Sequence, residues 1–149
     1  MPKRAPTRRG YHTMTPSLCV SDARAAVAFY AKAFGATVIE RHDDPDGGIS
    51  SVILRIGDSP LMLSDDTSQH ARDHAHEGWP RSPGRQATSS TSMYVYVLDA
   101  DAAFDRALKA GATEIAPVED KKWGDRLGGF RDPFGYVWNV ATFGAELPH

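Results

Sequence analysis

The apolar positions of the chain form two similar patterns, one in each half. Residues 20–37 (VSDARAAVAFYAKAFGAT) align with residues 97–113 (VLDADAAFDRALKAGAT), since both run Val-x-Asp-Ala-x-Ala-Ala and both end in Gly-Ala-Thr. Within each copy the apolar residues recur at helical spacing, which predicts an amphipathic helix. Asp22 and Asp99 come just before this spacing begins and are typical N-cap residues. The chain therefore contains an internal repeat.

Each predicted helix lies between a short apolar run and three further runs with strand character. Gly35 and Gly111 follow the helices and are typical of helix ends. The turns between the later runs are rich in Asp, Gly and Pro, as in hairpins. The predicted strands are 18–20, 37–41, 49–56 and 60–64 in the first half, and 93–98, 113–118, 128–132 and 136–142 in the second. The two halves together predict one α+β domain.

The repeat also sets the expected boundaries. The first βαβββ module is placed at 14–65 and the second at 91–143. The polar segment 66–90 between them is long for a structureless connection and is interpreted as a linker or a lid. Residues 1–13 are expected to form a mobile basic tail, because the first ten contain four basic residues, two prolines and no aliphatic residue larger than alanine. Residues 144–149 are expected to form a second tail.

Composition narrows the class of partner. The 149 residues contain 17 Lys and Arg against 19 Asp and Glu, which leaves a net charge of −2. This balance does not favour nucleic acid or a membrane surface, and no apolar run approaches the ~20 residues that a membrane span requires. A single cysteine, Cys19, excludes an intrachain disulfide, so we expect a cytoplasmic protein with a small-molecule partner.

The order of three motifs resembles a known family. AVAFYAKAFGA, RIGDSPLMLSDD and WGDRLGGFRDPFGYVWNVAT (residues 123–142) follow one another as in the glyoxalase/bleomycin-resistance superfamily, also called vicinal oxygen chelate proteins, and within it the PhnB-like branch. The resemblance covers about residues 15–142. It implies an α+β fold in which two βαβββ modules form a half-open, cup-shaped sheet, and it implies a homodimer. The Asp-Pro-Phe-Gly stretch is then the turn of the last hairpin.

The resemblance also implies where a metal would bind. Members that use a divalent metal hold it with His and Glu on four strands. The corresponding positions here are Thr15, Ser51 or Ile53, Ser92 and Asn139. Hydroxyls and one amide are too weak as a complete ligand set for a transition metal. We therefore expect no cofactor, and the family's lyase and dioxygenase activities do not carry over directly.

The period of two along a strand predicts what lines the cup instead. Tyr rings, hydroxyls, an amide and one Arg can stack a planar ring, bond its substituents and pair an anionic group. Trp123 and Arg126 are candidates for the mouth of the cup. The predicted ligand-binding residues are Ser51, Ile53, Arg55, Ser92, Tyr94, Tyr96, Trp123, Arg126 and Asn139. Two structural alternatives stay open: the tyrosines fill a dimer seam, and Asp125 pairs with Arg126 to fix the loop.

Three functional hypotheses follow. The first is a metal-independent protein that binds, and sequesters, a toxic or antibiotic-like aromatic compound. The second is a lyase, isomerase or dioxygenase whose divalent metal is held by other residues, for which His70, His74 and His76 are the candidates, since His70 and His74 share a face if their segment is helical. The third is a modifier protein whose tyrosine-bearing surface binds another protein.

Overall fold

The computed structural model describes residues 4–84 and 89–144, without the side chain of His76. Two βαβββ modules follow one another along the chain. The first consists of β1 (Ser17–Val20), α1 (Ala23–Phe34), β2 (Thr37–Asp43), β3 (Ile49–Ile56) and β4 (Ser59–Asp65). The connector between the modules contains α2 (Gln69–Asp73) and a 3-10 turn (Ala75–Glu77). The second module consists of β5 (Ser92–Tyr96), α3 (Ala100–Lys109), β6 (Thr113–Asp120), β7 (Asp125–Arg131) and β8 (Val137–Phe143).

Each module forms its own four-stranded sheet with the same topology. The strand orders are β1-β4-β3-β2 and β5-β8-β7-β6. In both sheets the first and last strands of the module pair in parallel, and the other pairs are antiparallel. The α+β class and the repeat predicted from the sequence are therefore confirmed.

The helices begin where the sequence predicts. The Asp22 side chain accepts a hydrogen bond from the Ala25 amide at 3.0 Å, and the Asp99 side chain accepts one from the Ala102 amide at 3.1 Å. Each carboxylate thus satisfies a first-turn N–H group that has no partner within its helix. Helix α1 ends at Gly35, whose backbone is left-handed.

The two faces of each sheet differ in polarity. In the first sheet, one face carries four aliphatic residues that are buried against α1: Val52, Leu54, Leu61 and Leu63. In the second sheet, Gly128 lies on the corresponding face, where an added Cβ would come within 2.6 Å of Val118 and 3.0 Å of Phe104 on α3. We call these the helix faces and the opposite ones the open faces.

The modules join through one aromatic core. Rings from α1 meet rings from the second sheet and from the turn before β8. The Tyr30 and Trp138 rings lie 5.3 Å apart, and those of Phe34 and Trp138 lie 4.8 Å apart. The core therefore crosses the boundary between the modules and makes them one folding unit.

A buried carboxylate fixes this junction. Asp132, in the Asp-Pro-Phe-Gly turn, is only 2% exposed. Its Oδ1 accepts the amides of Phe134 and Tyr136 at 2.9 and 3.0 Å, and its Oδ2 accepts the Trp138 indole N–H at 2.8 Å and the Tyr30 hydroxyl. Burial raises the pKa of Asp132, while these four donors act against the increase. The turn is thus a structural joint that binds the second module to α1.

A second hydrogen-bonded link joins the modules at the free edge of β1. The Tyr136 hydroxyl accepts the Cys19 amide at 3.0 Å and donates to the Cys19 carbonyl at 2.7 Å. It therefore satisfies both backbone groups of one residue on an edge strand, where a neighbouring strand would otherwise do so.

The segments outside the modules are the connector and the two terminal segments. The sequence left open whether the segment around His70 and His74 is helical, and α2 forms there. Residues 4–13 form no helix or strand, and Arg8 pairs with Glu40 at 3.5 Å. The mobility expected of the N-terminal tail stays a prediction, and residues 1–3, 85–88 and 145–149 lie outside the described part.

Within residues 4–84 and 89–144, no helix is both long and apolar enough to cross a membrane.

Replacing Asp132 with Ala should lower the free energy of unfolding by roughly 3 kcal/mol or more, because buried donors lose their acceptor. Tyr30→Phe removes one hydrogen bond to a carboxylate and should cost about 1.5–3 kcal/mol. Urea denaturation measures both. Tyr11→Phe is the control: its hydroxyl is buried without a partner in the described structure, so its loss should change stability by less than about 0.5 kcal/mol. Equal effects of Tyr30→Phe and Tyr11→Phe would contradict the role of Asp132.

Candidate functional site

The open faces carry most of the residues that the sequence singled out. Ser51, Ile53 and Arg55 alternate along β3 with the buried helix-face residues. Tyr94 and Tyr96 do the same along β5, and Asn139 on β8 is the direct cross-strand partner of Tyr94. Successive side chains of a strand point to opposite faces of the sheet, so the face on which each of these residues lies could be predicted from the sequence alone.

The second sheet brings Tyr94, Tyr96 and Trp123 together around a carboxylate. Oδ2 of Asp125 accepts the Tyr96 hydroxyl at 3.0 Å, the Trp123 indole N–H at 3.2 Å, and the Tyr94 hydroxyl. The indole N–H also lies 3.2 Å from the Tyr94 oxygen. We call the three rings with Asp125 the aromatic platform.

The platform is buried at its centre and open at its surface. Asp125 is 3% exposed, whereas Tyr94 is 44%, Tyr96 62% and Trp123 61% exposed. The tyrosine ring centroids are 5.5 Å apart with planes at 57°. Since the polar ends of all three rings are bonded to one oxygen, the ring faces stay available to a ligand in a fixed arrangement.

The carboxylate also sets the protonation of the tyrosines. The hydrogen bond to Asp125 is the main cause of a raised pKa at Tyr96, and removal from water followed by Asp125 raises the pKa of Tyr94. A phenolate beside a carboxylate is unfavourable, so both hydroxyls remain donors. The platform therefore presents neutral phenol rings around one buried negative charge.

Arg126 does not belong to this site. It lies on the helix face of β7 and donates to Asp101 in the first turn of α3 at 2.7 and 3.0 Å, and to Asp120 at 3.2 Å. The predicted pair between Asp125 and Arg126 is wrong, because adjacent strand residues point to opposite faces. The sequence placed this stretch in a loop, whereas β7 begins at Asp125.

The other predicted ligand residues, Arg55, Ser51, Ile53 and Ser92, have no described hydrogen bond to the platform. Arg55 faces the N-terminal segment, where a Cβ on Gly10 would lie 3.2 Å from its guanidinium group. Ser51 pairs with Ser64 on β4, and Ile53 pairs with Met62. Ser92, at the start of β5, is opposite Val137. Their roles as ligand contacts stay predictions.

The register of the two sheets revises one of the family's metal positions. Tyr94, five residues before Asp99, pairs with Asn139; Ser17, five residues before Asp22, pairs with Met62. The first-module equivalent of Asn139 is therefore Met62 on β4 rather than Ser51 or Ile53 on the neighbouring β3.

With this revision, the four positions that correspond to the family's metal ligands are Thr15, Met62, Ser92 and Asn139. A thioether, two hydroxyls and an amide do not match a divalent ion that prefers imidazole, thiolate or carboxylate ligands. The residues present do not fit the metal that the family implies at these strands.

Two histidines of the connector lie close together, but one of them bonds a neighbouring carboxylate. The rings of His70 and His74 lie 4.5 Å apart, as helical spacing predicts. His74 Nδ1 is 2.8 Å from Glu77 Oε1, and this contact raises the pKa of His74. Among the described side chains, no three His, Cys, Asp or Glu residues converge on one metal site. The side chain of His76 lies outside the described residues.

Comparison with known proteins places the chain among relatives. A sequence model of the glyoxalase/bleomycin resistance protein/dioxygenase superfamily matches residues 11–140. An uncharacterized protein of Mycobacterium tuberculosis H37Rv is 39% identical over 127 residues, which span 85% of this chain and 72% of that protein.

Solved structures share the fold. TioX from Micromonospora sp. ML1 has a TM-score of 0.65 with 26% identity, over 89% of this chain and 98% of that one. A fosfomycin resistance protein, FosX, from Listeria monocytogenes has a TM-score of 0.61 with 13% identity, over 88% and 92%. The Bacillus cereus PhnB protein, a putative 3-demethylubiquinone-9 3-methyltransferase, has a TM-score of 0.60 with 15% identity, over 88% and 99%. The last two show the fold alone.

Asp125→Asn should lower the pKa of Tyr96, and to a lesser degree that of Tyr94, because the negative charge that opposes phenolate formation is removed. Titration of the phenolate absorbance measures this shift. Asp120→Asn is the matched control, since Asp120 bonds Arg126 on the helix face and should leave the tyrosines unchanged. An unaltered titration in Asp125→Asn would contradict the proposed geometry of the platform.

Proposed function

Because the chain belongs to the glyoxalase/bleomycin resistance protein/dioxygenase superfamily, we propose that it binds a small aromatic molecule on the aromatic platform without a metal ion. The observation that carries this proposal is the convergence of Tyr94, Tyr96 and Trp123 on one oxygen of Asp125. Sequestration of a toxic or antibiotic-like compound is the role we assign to such binding. Membership of the PhnB-like branch and a cytoplasmic location stay predictions.

The platform suits a planar ligand for a physical reason. Stacked or edge-to-face aromatic pairs contribute about 0.5–1.5 kcal/mol beyond the area that they bury. The three side chains lose little freedom on binding, since their polar ends are already hydrogen-bonded. Asn139, beside Tyr94, adds an amide that can donate or accept. A ring with one polar substituent satisfies both features.

The donor chemistry favours binding over metal-assisted catalysis. The four strand positions that would hold a metal carry no imidazole, thiolate or carboxylate. The alternative, a lyase, isomerase or dioxygenase, requires a metal at other residues. His70 and His74 supply only two nitrogens, and Glu77 already bonds one of them.

We further propose that a second copy of the chain covers the edge of this site. Strand β5 has a partner on one side only within the described sheet. Beside it lie Leu98, which is fully exposed, and the half-exposed rings of Tyr96 and Phe143. An apolar patch along an unpaired edge strand favours association, and a symmetric dimer buries the same patch on both chains.

Each tryptophan indole N–H bonds a carboxylate in a different part of the molecule, which makes ligand binding measurable. Trp123 bonds Asp125, Trp79 bonds Glu77 at 3.1 Å in the connector, and Trp138 bonds Asp132 in the core. We expect phenol, indole and 2-naphthol to shift the Trp123 indole N–H resonance in NMR titrations and to leave that of Trp138 in place.

Tyr94→Ala should weaken this binding about tenfold, which corresponds to the loss of one aromatic pair worth ~1.4 kcal/mol. Tyr11→Phe serves as a control outside the platform. The proposed function would be wrong if saturating amounts of all three probes left the Trp123 resonance unchanged.

Light scattering should detect particles of twice the chain mass, and Leu98→Asp should convert them to monomers, because a charge at the centre of an apolar contact is costly to bury. Val38→Asp is the matched control, since Val38 is a half-exposed residue on β2, at the far edge of the first sheet. Monomers of the unaltered chain at high concentration would refute the dimer.

A further inference from the structure

A pocket that is partly open to solvent lies on the open face of the first sheet. It has a volume of about 440 Å³, and its floor is formed by Ser17, Cys19 and Ser64. The connector covers it, with side chains of α2 on one side and Trp79, Pro80 and Arg81 on the other. Every described residue that lines it precedes β5. We call this space the connector pocket; among the described residues it is built by the first module and the connector alone, and it shares none of them with the aromatic platform.

The connector contacts the modules at two points, and a third contact links its first residue, Asp66, to Ser82. The Gln69 amide donates to Asp44 in the turn after β2 at 2.9 Å. The Ser82 amide and hydroxyl donate to Asp66 at 3.0 and 2.6 Å. Near Gly135 the backbones are in contact, since an added Cβ there would lie 2.3 Å from the Gly84 carbonyl oxygen. These contacts hold both the α2 side and the Ser82 side of the connector over the pocket.

The charges in the wall are already used by the fold. Asp65 accepts the Ala23 amide at 2.9 Å and the Thr67 amide at 2.8 Å. Asp66 accepts Ser82, and the Arg72 guanidinium donates to the Thr67 carbonyl and to Gln69. With Arg81 included, the lining contains two carboxylates and two guanidinium groups, so it has no net charge when the histidines are neutral.

Apart from these charged groups, the wall that a ligand would contact is mainly apolar. Ala71, Ala75 and Pro80 supply carbon surface, and the rings of His70 and Trp79 supply flat faces. Hydroxyls of Ser17 and Ser64 on the floor can bond one polar substituent. Small-molecule sites have this composition, and their volumes run from roughly 300 to 1,000 Å³.

We propose that the connector pocket is a second ligand site, which takes an uncharged aromatic molecule of one or two rings between the connector and the floor of the first sheet. A carboxylate or ammonium group would have to leave water for a mainly apolar wall in which Asp65, Asp66 and Arg72 already have hydrogen-bond partners, so charged analogues bind more weakly. The site uses no residue of the platform, and either site can be lost without the other.

The pocket carries two reporters of its own. Trp79 is the tryptophan in its wall, and Cys19, the single cysteine of the chain, is in its floor. Burial raises the pKa of the Cys19 thiol, which disfavours the reactive thiolate. A ligand in the pocket shields the thiol from an alkylating reagent.

The test uses the full chain with 2-naphthol as the probe, and with 2-naphthoate as its charged analogue. We expect 2-naphthol to shift the Trp79 indole N–H resonance and, at about ten times its Kd, to slow alkylation of Cys19 by iodoacetamide about tenfold. The naphthoate should do neither at the same concentration. A Trp79 resonance that does not move, or an alkylation rate that 2-naphthol leaves unchanged, would overturn the proposal.

A variant separates this site from the platform. Ala71→Phe fills the pocket and should abolish both effects of 2-naphthol at Trp79 and Cys19, while the shift at Trp123 persists. Ala31→Phe, on the exposed side of α1, is the matched control and should retain all effects. An unshifted Trp138 resonance in both variants verifies that the core is intact. If 2-naphthol shifted the Trp79 resonance but not the Trp123 resonance of the unaltered chain, the platform would be refuted as a ligand site and the connector pocket would be supported.

Discussion

The carboxylate of Asp132 accepts hydrogen bonds from the backbone of its own turn, from an indole on β8 and from the Tyr30 hydroxyl on α1, a residue of the other module. A buried carboxylate is unfavourable without such partners, so the groups around it must keep one arrangement. The aromatic core packs around this point, and the Tyr136 hydroxyl fixes the edge of β1 from the same turn. The relative position of the two modules, and of both proposed ligand sites, depends on it.

Asp125 plays a comparable part in the second sheet, with a different result. Both carboxylates are almost fully buried, and both are bonded by aromatic hydroxyl and indole groups. The rings around Asp132 are covered by the helix and become core, whereas those around Asp125 lie on the open face and stay accessible. The same chemistry therefore gives a joint in one place and, in the other, the preorganised aromatic surface on which we propose that a ligand binds.

Local patterns predicted much of this fold. The repeat, the N-caps at Asp22 and Asp99, the bounds of β3 and the polar open faces all depend on residues near one another in sequence. The partners of Asp132 and Asp125 could not be predicted, because Tyr30 is 102 residues from Asp132 and Tyr94 is 31 residues from Asp125. Arg126 was misplaced because a strand that begins three residues earlier than expected puts it on the helix face. The sequence could not decide whether α2 forms, because short helices depend on tertiary contacts, here between Gln69 and Asp44.

The central claim is that the fold of a metal-using superfamily here serves binding without a metal. The most direct test is the metal content of the untagged protein, expressed in medium supplemented with zinc, nickel, iron and manganese and measured by mass spectrometry against protein concentration. The donor set of Thr15, Met62, Ser92 and Asn139 predicts a content near zero. About one transition metal per chain would contradict the account and make the enzyme hypothesis the primary one.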